Sequence, residues 1–431
     1  MKSEDFYKTY LQYPQICTDS RKVTPGCLYF SLKGDQFDGN RFASDALARG
    51  SAFAIVDDPA MVAGERYILV PDVLGFLQEM ASYHRGRLNL PVIGLTGTNG
   101  KTTTKELVHS VLKQKFNTVA TAGNLNNHIG VPVTVLSTRQ DTEILIVEMG
   151  ANHPGEIDFL CNICRPTIGL VTNIGIAHLE GFGSFEGVIQ TKTELYRWIN
   201  HIGGKLFYNV DDPLLKELVG SYAGISYGSG PGAQVIGQPS TSERFLSLQC
   251  KTNAHAQFFD IRSHLTGSYN LYNILAAAAI GSYFGVSDEQ IKTGIESYVP
   301  DNMRSQWIQT GKNVLFLDAY NANPSSMSLA LENFASLKMP HSIAILGDMF
   351  ELGQHAPAEH LKIIKQAGQL DLDRVLFAGE QFYQHAVGFP DLFFENINGL
   401  KSYLAQDQIE NCNILIKGSR GMQLEQLVSY L

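Results

Sequence analysis

The sequence predicts a three-domain α/β protein, with a small α/β unit first, a central parallel-sheet domain of the phosphate-loop type, and a Rossmann-like C-terminal domain. Three observations support this. Apolar, partly β-branched runs of strand length end in glycine or polar residues and alternate with helix-length segments, as in sheets buried on both faces. The alternation begins at about residue 87 and restarts at about 303, and 431 residues at roughly 150 per domain allow two or three domains. A glycine-rich turn separates one such run from a helix-forming stretch.

In chain order, residues 1–86 hold two strand-like runs, "CLYFSL" and "FAIVD", with "RFASDALARG" reading as a helix between them. "DVLGFLQEMASYHRGRL" has the period of an amphipathic helix that leads out of this unit. Residues 87–302 carry "PVIGLTG", "ILIVEMGA", "IGLVTNIG" and "KLFYNVDD", each a parallel-sheet strand that stops at polar or glycine residues. Ligands of such sheets bind at the carboxyl ends of the strands, so the residues just after these runs are the ones to examine. Residues 303–431 repeat the pattern in "NVLFLDAYNANP", "SIAILGDM", "RVLFAG" and "NILIKGSRG".

Composition narrows the function. Hydrophobic residues make up 44% and charged residues 17%, enough apolar material for several cores. The net charge of −9 argues against a broad nucleic-acid surface. No apolar run reaches the ~20 residues of a membrane span, and "MKSEDFYKTY" lacks the apolar core of a signal peptide, so a cytoplasmic location is expected. Six cysteines are too few for a disulfide scaffold, and the one CxxC, Cys161 and Cys164, reads as buried thiols rather than a zinc site.

"VIGLTGTNGKTTTKEL" is the most informative stretch. A strand feeds "TGTNGK" and a helix follows, so backbone N–H groups from Thr98, Asn99, Gly100 and the first helical turn converge on one anion. Lys101 is placed to reach the outer phosphates, with Thr102 and Thr103 beside it and the Thr102 hydroxyl available to Mg²⁺. Leu95 stands where the strict GxxxxGK[ST] pattern has its first glycine, so the loop is a variant.

Further along, "AGNLNNHIGVP", "VEMGANHPGEI", "TNIGIAHLEGFGS", "TKTELY", "GSYNLYNILAAAA", "DAYNANPSSM", "LGDMFELG" and "IKGSRGMQLE" follow in order. Together with the phosphate loop they resemble the Mur ligases of peptidoglycan synthesis over essentially the whole chain. Within that family they are most similar to the MurF branch, which joins D-alanyl-D-alanine to UDP-N-acetylmuramoyl-tripeptide. The phosphate loop is common to all Mur ligases and to folylpolyglutamate synthases. "NANPSSM" and "KGSRGMQLE" are similar to the MurF branch specifically, and the "DNPR" acceptor motif of MurE is absent.

The resemblance implies a cytoplasmic, monomeric, ATP-dependent ligase that works through an acyl phosphate with two Mg²⁺ ions. The first domain would hold the UDP end of the substrate, the second ATP, and the third would close with the incoming dipeptide. It implies Mg²⁺ at Thr102, Glu148, His178 and Lys192, the last as a carbamate, and nucleotide contacts from Asn270, Asn273, Arg304 and Asp318. It places Ser20, Arg21, Lys33, Gly34 and Asp38 at the uridine diphosphate, and Asn126, Asn127 and His128 at the muramoyl-tripeptide. Tyr320, Asn321, Asn323, Lys417, Ser419 and Arg420 fall to the dipeptide. From residue type alone, Lys192 reads as a solvated helix lysine; Asn270 and Asn273, three apart on one helix face, can pair with an adenine edge or cap the helix; and the basic pair of "IKGSRG" can hold a carboxylate, with Arg420 bidentate, or form a solvated turn. Two rivals stay open: another ligase of the superfamily (MurE-like), and a nucleotide-driven switch that hydrolyses ATP without either substrate.

Overall fold

The computed structural model describes residues 2–177, 179–240, 244–252, 257–388 and 392–431. Three main sheets divide the chain. The first is four-stranded and parallel, in the order Ile16–Cys17, Leu28–Phe30, Phe53–Val56, Tyr67–Leu69. A helix the sequence reading did not single out, Ser3–Gln12, buries Phe6 and Tyr10. Phe6 packs on Phe76 with ring centroids 5.7 Å apart, and the Tyr10 hydroxyl donates to Leu136 O at 2.7 Å.

The helix expected to lead out of this unit is Val73–Arg85. Asp72 starts it by accepting from Leu74 N and Gly75 N. Its buried Val73, Phe76, Leu77, Met80 and Ala81 follow helical spacing. They belong to one core with Val131, Val135 and Leu160 of the central domain, so the first two units share a core.

The central sheet has nine strands among the described residues, in the order Phe259–Arg262, Ser247–Lys251, Val235–Ser240, Gly224–Gly228, Lys205–Asn209, Ile168–Val171, Val92–Thr96, Ile144–Glu148, Thr118–Ala120. The four runs read from sequence are neighbours in it and run parallel. The antiparallel strands Ser247–Lys251 and Phe259–Arg262 extend one edge. Their shorter, half-polar pattern gave no continuous apolar run.

Helix Asn270–Tyr283 packs on helix Lys101–Leu112. Its buried Ala276–Ala279 stretch keeps that face small, and a Cβ on Gly281 would meet Val111 Cγ1 at 2.5 Å. This close approach sets Asn273 behind the phosphate loop.

The C-terminal sheet runs Gln306–Gln309, Val314–Asp318, Asn413–Lys417, Ser342–Gly347, Arg374–Ala378, Phe393–Phe394, parallel except for its first strand. It lies against the central domain. Trp307 Nε1 donates to Thr266 Oγ1 at 2.7 Å, and a Cβ on Gly175 would stand 3.1 Å from Ser325 Oγ.

Candidate active site

Strand Val92–Thr96 is buried along its whole length. Leu95 lies within it, paired with Leu170 on one side and Glu148 on the other. The turn therefore begins only at Gly97, which removes the need for a glycine at 95. Gly97 has φ +148°, and a Cβ there would stand 2.0 Å from Thr172 Oγ1. Gly100 has φ +75° and abuts the Asn273 amide.

The loop is fixed from the next strand. Asn99 N donates to Asn173 Oδ1 at 3.0 Å and Asn173 Nδ2 donates to Asn99 O at 3.0 Å. Thr172 Oγ1 donates to Asn99 O at 2.7 Å. Thr98 is held by Gly175 N, which donates to its hydroxyl. Lys101 Nζ folds back to Gly97 O and Thr98 O at 2.7 and 3.0 Å, so the loop is closed around its own ammonium.

Glu148 ends strand Ile144–Glu148 and is 1% exposed. Thr102 Oγ1 and Asn126 Nδ2 donate to its Oε1 at 3.2 and 2.8 Å. Its Oε2 is buried without a partner. An unsatisfied carboxylate oxygen in such a place is costly on its own. Beside the Thr102 hydroxyl it forms the oxygen donor set that a hard cation such as Mg²⁺ takes, with water completing the shell. No cluster of three or more His, Cys, Asp or Glu side chains suited to a metal occurs among the described residues. His178, expected at a second ion, lies outside them.

Lys101 feels the Glu148 charge directly, and Lys192 in turn feels the Lys101 charge. Burial lowers the Lys101 pKa to about 8, opposed by Glu148 and aided by Arg304. Lys192 is 2% exposed, not solvated. Burial first, and then the nearby Lys101 charge, lower its pKa to about 7 against the opposing pull of Glu156 and Glu194. Its Nζ lies 5.5 Å from the centre of the Phe182 ring.

A cleft of about 520 Å³ opens from the phosphate loop. Asn126, Asn127 and His128 line one wall, Asn270 and Asn273 another, and Arg304, Asp318, Tyr320, Asn321, Asn323 and Lys417 come from the C-terminal domain. Asn273 accepts from Thr104 Oγ1 and donates to Asn270 Oδ1, while Asn270 Nδ2 donates to Thr266 O. Arg304 stacks over Tyr320 at 3.8 Å. Its neighbours Met303 and Ser305 both adopt left-handed backbone, φ +58° and +53°. Ser305 N donates to Asp318 Oδ1 at 3.0 Å, which helps fix this segment. Asn323 caps helix Pro324–Ser336 and its Nδ2 donates to Asn99 Oδ1 of the phosphate loop at 2.9 Å.

Other expected residues take different positions. Lys417 is 2% exposed and ion-paired to Asp318 at 2.5 Å, so each neutralises the other. Ser419 is buried off the cleft, where its hydroxyl accepts from Phe350 N. Arg420 lies outside the cleft lining, with its guanidinium 5.9 Å from the Tyr320 ring centre and bonded to Glu425. In the first domain, Arg21 pairs with Asp19 and Lys33 with Asp57. Asp38 accepts from Asn40, Gly34 sits under the Phe37 ring, and Ser20 opens a short 3₁₀ turn. None of these five lines the cleft.

Sequence reasoning passed over Thr172 and Asn173, although "TN" directly follows a strand and so sits where ligands bind. It also passed over Lys105, which is fully buried and donates to Thr121 O at 2.6 Å. Thr121 Oγ1 in turn accepts from Glu148 N at 3.0 Å. Asn152, His153 and Glu156 line the cleft as well.

Comparison with known proteins agrees with this geometry. Residues 12–85 match the model described as "Mur ligase family, catalytic domain", 95–281 the "Mur ligase middle domain", and 303–398 the "Mur ligase, glutamate ligase domain". The chain is 36% identical to the UDP-N-acetylmuramoyl-tripeptide–D-alanyl-D-alanine ligase of Escherichia coli, over 96% of this chain and 93% of that one. It superposes on a crystal structure of MurF from Acinetobacter baumannii with TM-score 0.86 and 30% identity, covering 99% of this chain and 98% of that one. MurF of Thermotoga maritima in complex with ADP gives TM-score 0.80 at 26% identity, covering 97% of each chain. The chain belongs to the Mur ligase family.

Proposed function

We propose that this chain is an ATP-dependent ligase that adds D-alanyl-D-alanine to UDP-N-acetylmuramoyl-tripeptide, yielding the pentapeptide, ADP and phosphate. The observation that carries the reading is the cleft itself. A phosphate loop, a buried carboxylate with an orphaned oxygen, and an arginine from a third domain converge there. The MurF relatives make this acceptor and dipeptide the first to try.

In this reading, residues 1–86 hold the UDP end through Ser20, Arg21, Lys33, Gly34 and Asp38. Residues 87–302 hold ATP, and residues 303–431 carry the dipeptide with Tyr320, Asn321, Asn323, Lys417, Ser419 and Arg420. The Asn270 and Asn273 carbonyl oxygens each keep a lone pair that can accept from the adenine amino group. Asp318 serves the ribose while Lys417 holds it in place.

The tripeptide carboxylate, lined by Asn126, Asn127 and His128, attacks the γ-phosphate to give an acyl phosphate and ADP. Two anions must meet, and fixed cations offset their repulsion. Lys101 leaves its loop carbonyls for the transferring phosphate, and Arg304 covers it from the C-terminal side. Mg²⁺ held by Thr102 and Glu148 would neutralise charge on the phosphates, with His178 and Lys192 at a second ion. Lys192 suits carbamylation because a pKa of about 7 leaves much of it neutral, as addition of CO₂ requires. The new N–C bond forms as one amine proton leaves to solvent, and the resulting anion faces Lys101 with attraction in place of repulsion. The D-alanyl-D-alanine amine then attacks the acyl carbon and phosphate departs.

Such a chain works as a cytoplasmic monomer. No described helix is long and apolar enough to cross a membrane. Incubation with ATP, Mg²⁺, D-Ala-D-Ala and the lysine or diaminopimelate form of the tripeptide tests the proposal. A product heavier than the tripeptide by one dipeptide less water supports it. ATP turnover with no such product contradicts it.

A further inference from the structure

Strand Ser342–Gly347 runs into the loop 348–352. This loop is tightly fixed. The Asp348 carboxylate accepts from Gln381 N and Phe382 N at 2.9 and 3.0 Å. Met349 N donates to His360 Nε2 at 3.0 Å, Phe350 N to Ser419 Oγ at 2.9 Å, and Ser419 N to Asp348 O at 3.0 Å. The Phe350 ring covers Gly421, where a Cβ would come within 2.6 Å. All of this holds Glu351 in left-handed backbone, φ +64°, a conformation that a non-glycine residue keeps only where its surroundings enforce it. Glu351 is exposed and lines the cleft.

Four carboxylates line that cleft. Glu148 and Glu156 come from the central domain, and Asp318 and Glu351 from the C-terminal one. Glu351 comes from the domain that carries Arg420, on a loop pinned to Arg420's own loop through Ser419. Arg420 stands beside the cleft and is bonded to Glu425, so it takes the carboxylate of a small zwitterion by leaving Glu425, while the ammonium lies toward Glu351 in the cleft.

We propose that Glu351 binds the ammonium of the incoming dipeptide and serves as its general base, an inference that rests on the ligase reading above. An amine with a pKa of about 8 arrives protonated at pH 7 and is not then a nucleophile. Glu351 takes one proton, and the freed lone pair forms the C–N bond to the acyl carbon. Collapse of the tetrahedral intermediate breaks the C–O bond to phosphate, which leaves with the electron pair and takes the second nitrogen proton. Glu351 then returns its proton to solvent. The pinned loop keeps the carboxylate in place for this transfer.

The test compares Glu351→Gln and Glu351→Asp with the parent enzyme, using two nucleophiles. Hydroxylamine is neutral at pH 7 and traps an acyl phosphate as hydroxamate without a base. For Glu351→Gln, hydroxamate formation should stay near the parent rate. Its kcat/KM for D-Ala-D-Ala should fall roughly 10²- to 10⁴-fold, with a raised KM and a deficit that narrows above the pKa of the amine. Glu351→Asp should recover part of the loss. Unchanged dipeptide kinetics in Glu351→Gln, or an equal loss with both nucleophiles, overturns the proposal. A parent enzyme that forms neither hydroxamate nor pentapeptide would instead strike at the ligase reading, before any variant is made.

Discussion

Asn323 Nδ2 donates to Asn99 Oδ1 across the domain boundary at 2.9 Å, tying the first turn of a C-terminal helix to the phosphate loop. The same Asn323 caps its helix by accepting from Ser326 N at 2.8 Å. One side chain thus starts a helix and closes the cleft, and substitution can separate these roles. Asn323→Ser keeps a good cap but cannot reach Asn99, so stability should hold within about 0.5 kcal/mol. With one interdomain hydrogen bond lost, about 1 kcal/mol, kcat/KM for ATP should drop roughly fivefold. Thermal unfolding and ATP titration check the pair. A large loss of stability with unchanged kinetics would show that the bond to Asn99 is incidental.

Lys101→Ala removes the cation from the transferring phosphate and should lower turnover by at least ~10³-fold. The fold should survive, because a buried ammonium with a lowered pKa adds little to stability. Phosphate release and circular dichroism together check this. Near-normal turnover would remove Lys101 from the reaction.

Glu148→Gln keeps the shape and removes the buried charge. The Oε2 atom has no partner in the protein, so this variant should be at least as stable as the parent without Mg²⁺. The Mg²⁺ concentration for half-maximal rate should rise at least tenfold. Mg²⁺ titrations of rate and of melting temperature check both halves. An unchanged Mg²⁺ requirement would place the ion elsewhere.

Lys192→Met tests the depressed lysine. In the folded chain Lys192 loses its proton near pH 7, whereas in the unfolded chain it stays protonated to well above that. Between those two values the unfolded state binds more protons, so the stability Lys192 permits falls as pH falls through that window. The stability of Lys192→Met minus that of the parent should therefore grow from alkaline pH down to about 7 and level off below. Equal pH profiles in denaturant titrations would mean the amine is not desolvated. Separately, Lys192→Ala should lose activity that chloride or formate partly restores, since a small anion can occupy the place of the carbamate. Full activity without added anion would exclude that role.

The sequence was most legible where chemistry and secondary structure coincide. Continuous apolar runs ending at Thr96, Glu148, Val171 and Asn209 marked four adjacent parallel strands and brought the phosphate loop and Glu148 to one edge. Burial was less legible. Lys192 sits on a helix with ordinary polar neighbours in sequence, and only packing of the whole domain removes it from water. Lys417 read as a free cation because Asp318, its partner, lies 99 residues away. The clamp by Thr172 and Asn173 follows from strand order, which a local pattern does not encode. Glu351 was hidden for a similar reason, since its exposure in the cleft depends on Asp348, His360 and Ser419 from three separate segments.

The central claim is that the cleft couples ATP to amide formation between two substrates. Phosphate release from ATP and Mg²⁺, with UDP-MurNAc-tripeptide and D-Ala-D-Ala added singly and together, tests it most directly. The account predicts little sustained release until both are present, then steady release matched one to one by pentapeptide. Steady release that ignores both substrates would contradict it and leave the phosphate loop serving a nucleotide-driven switch.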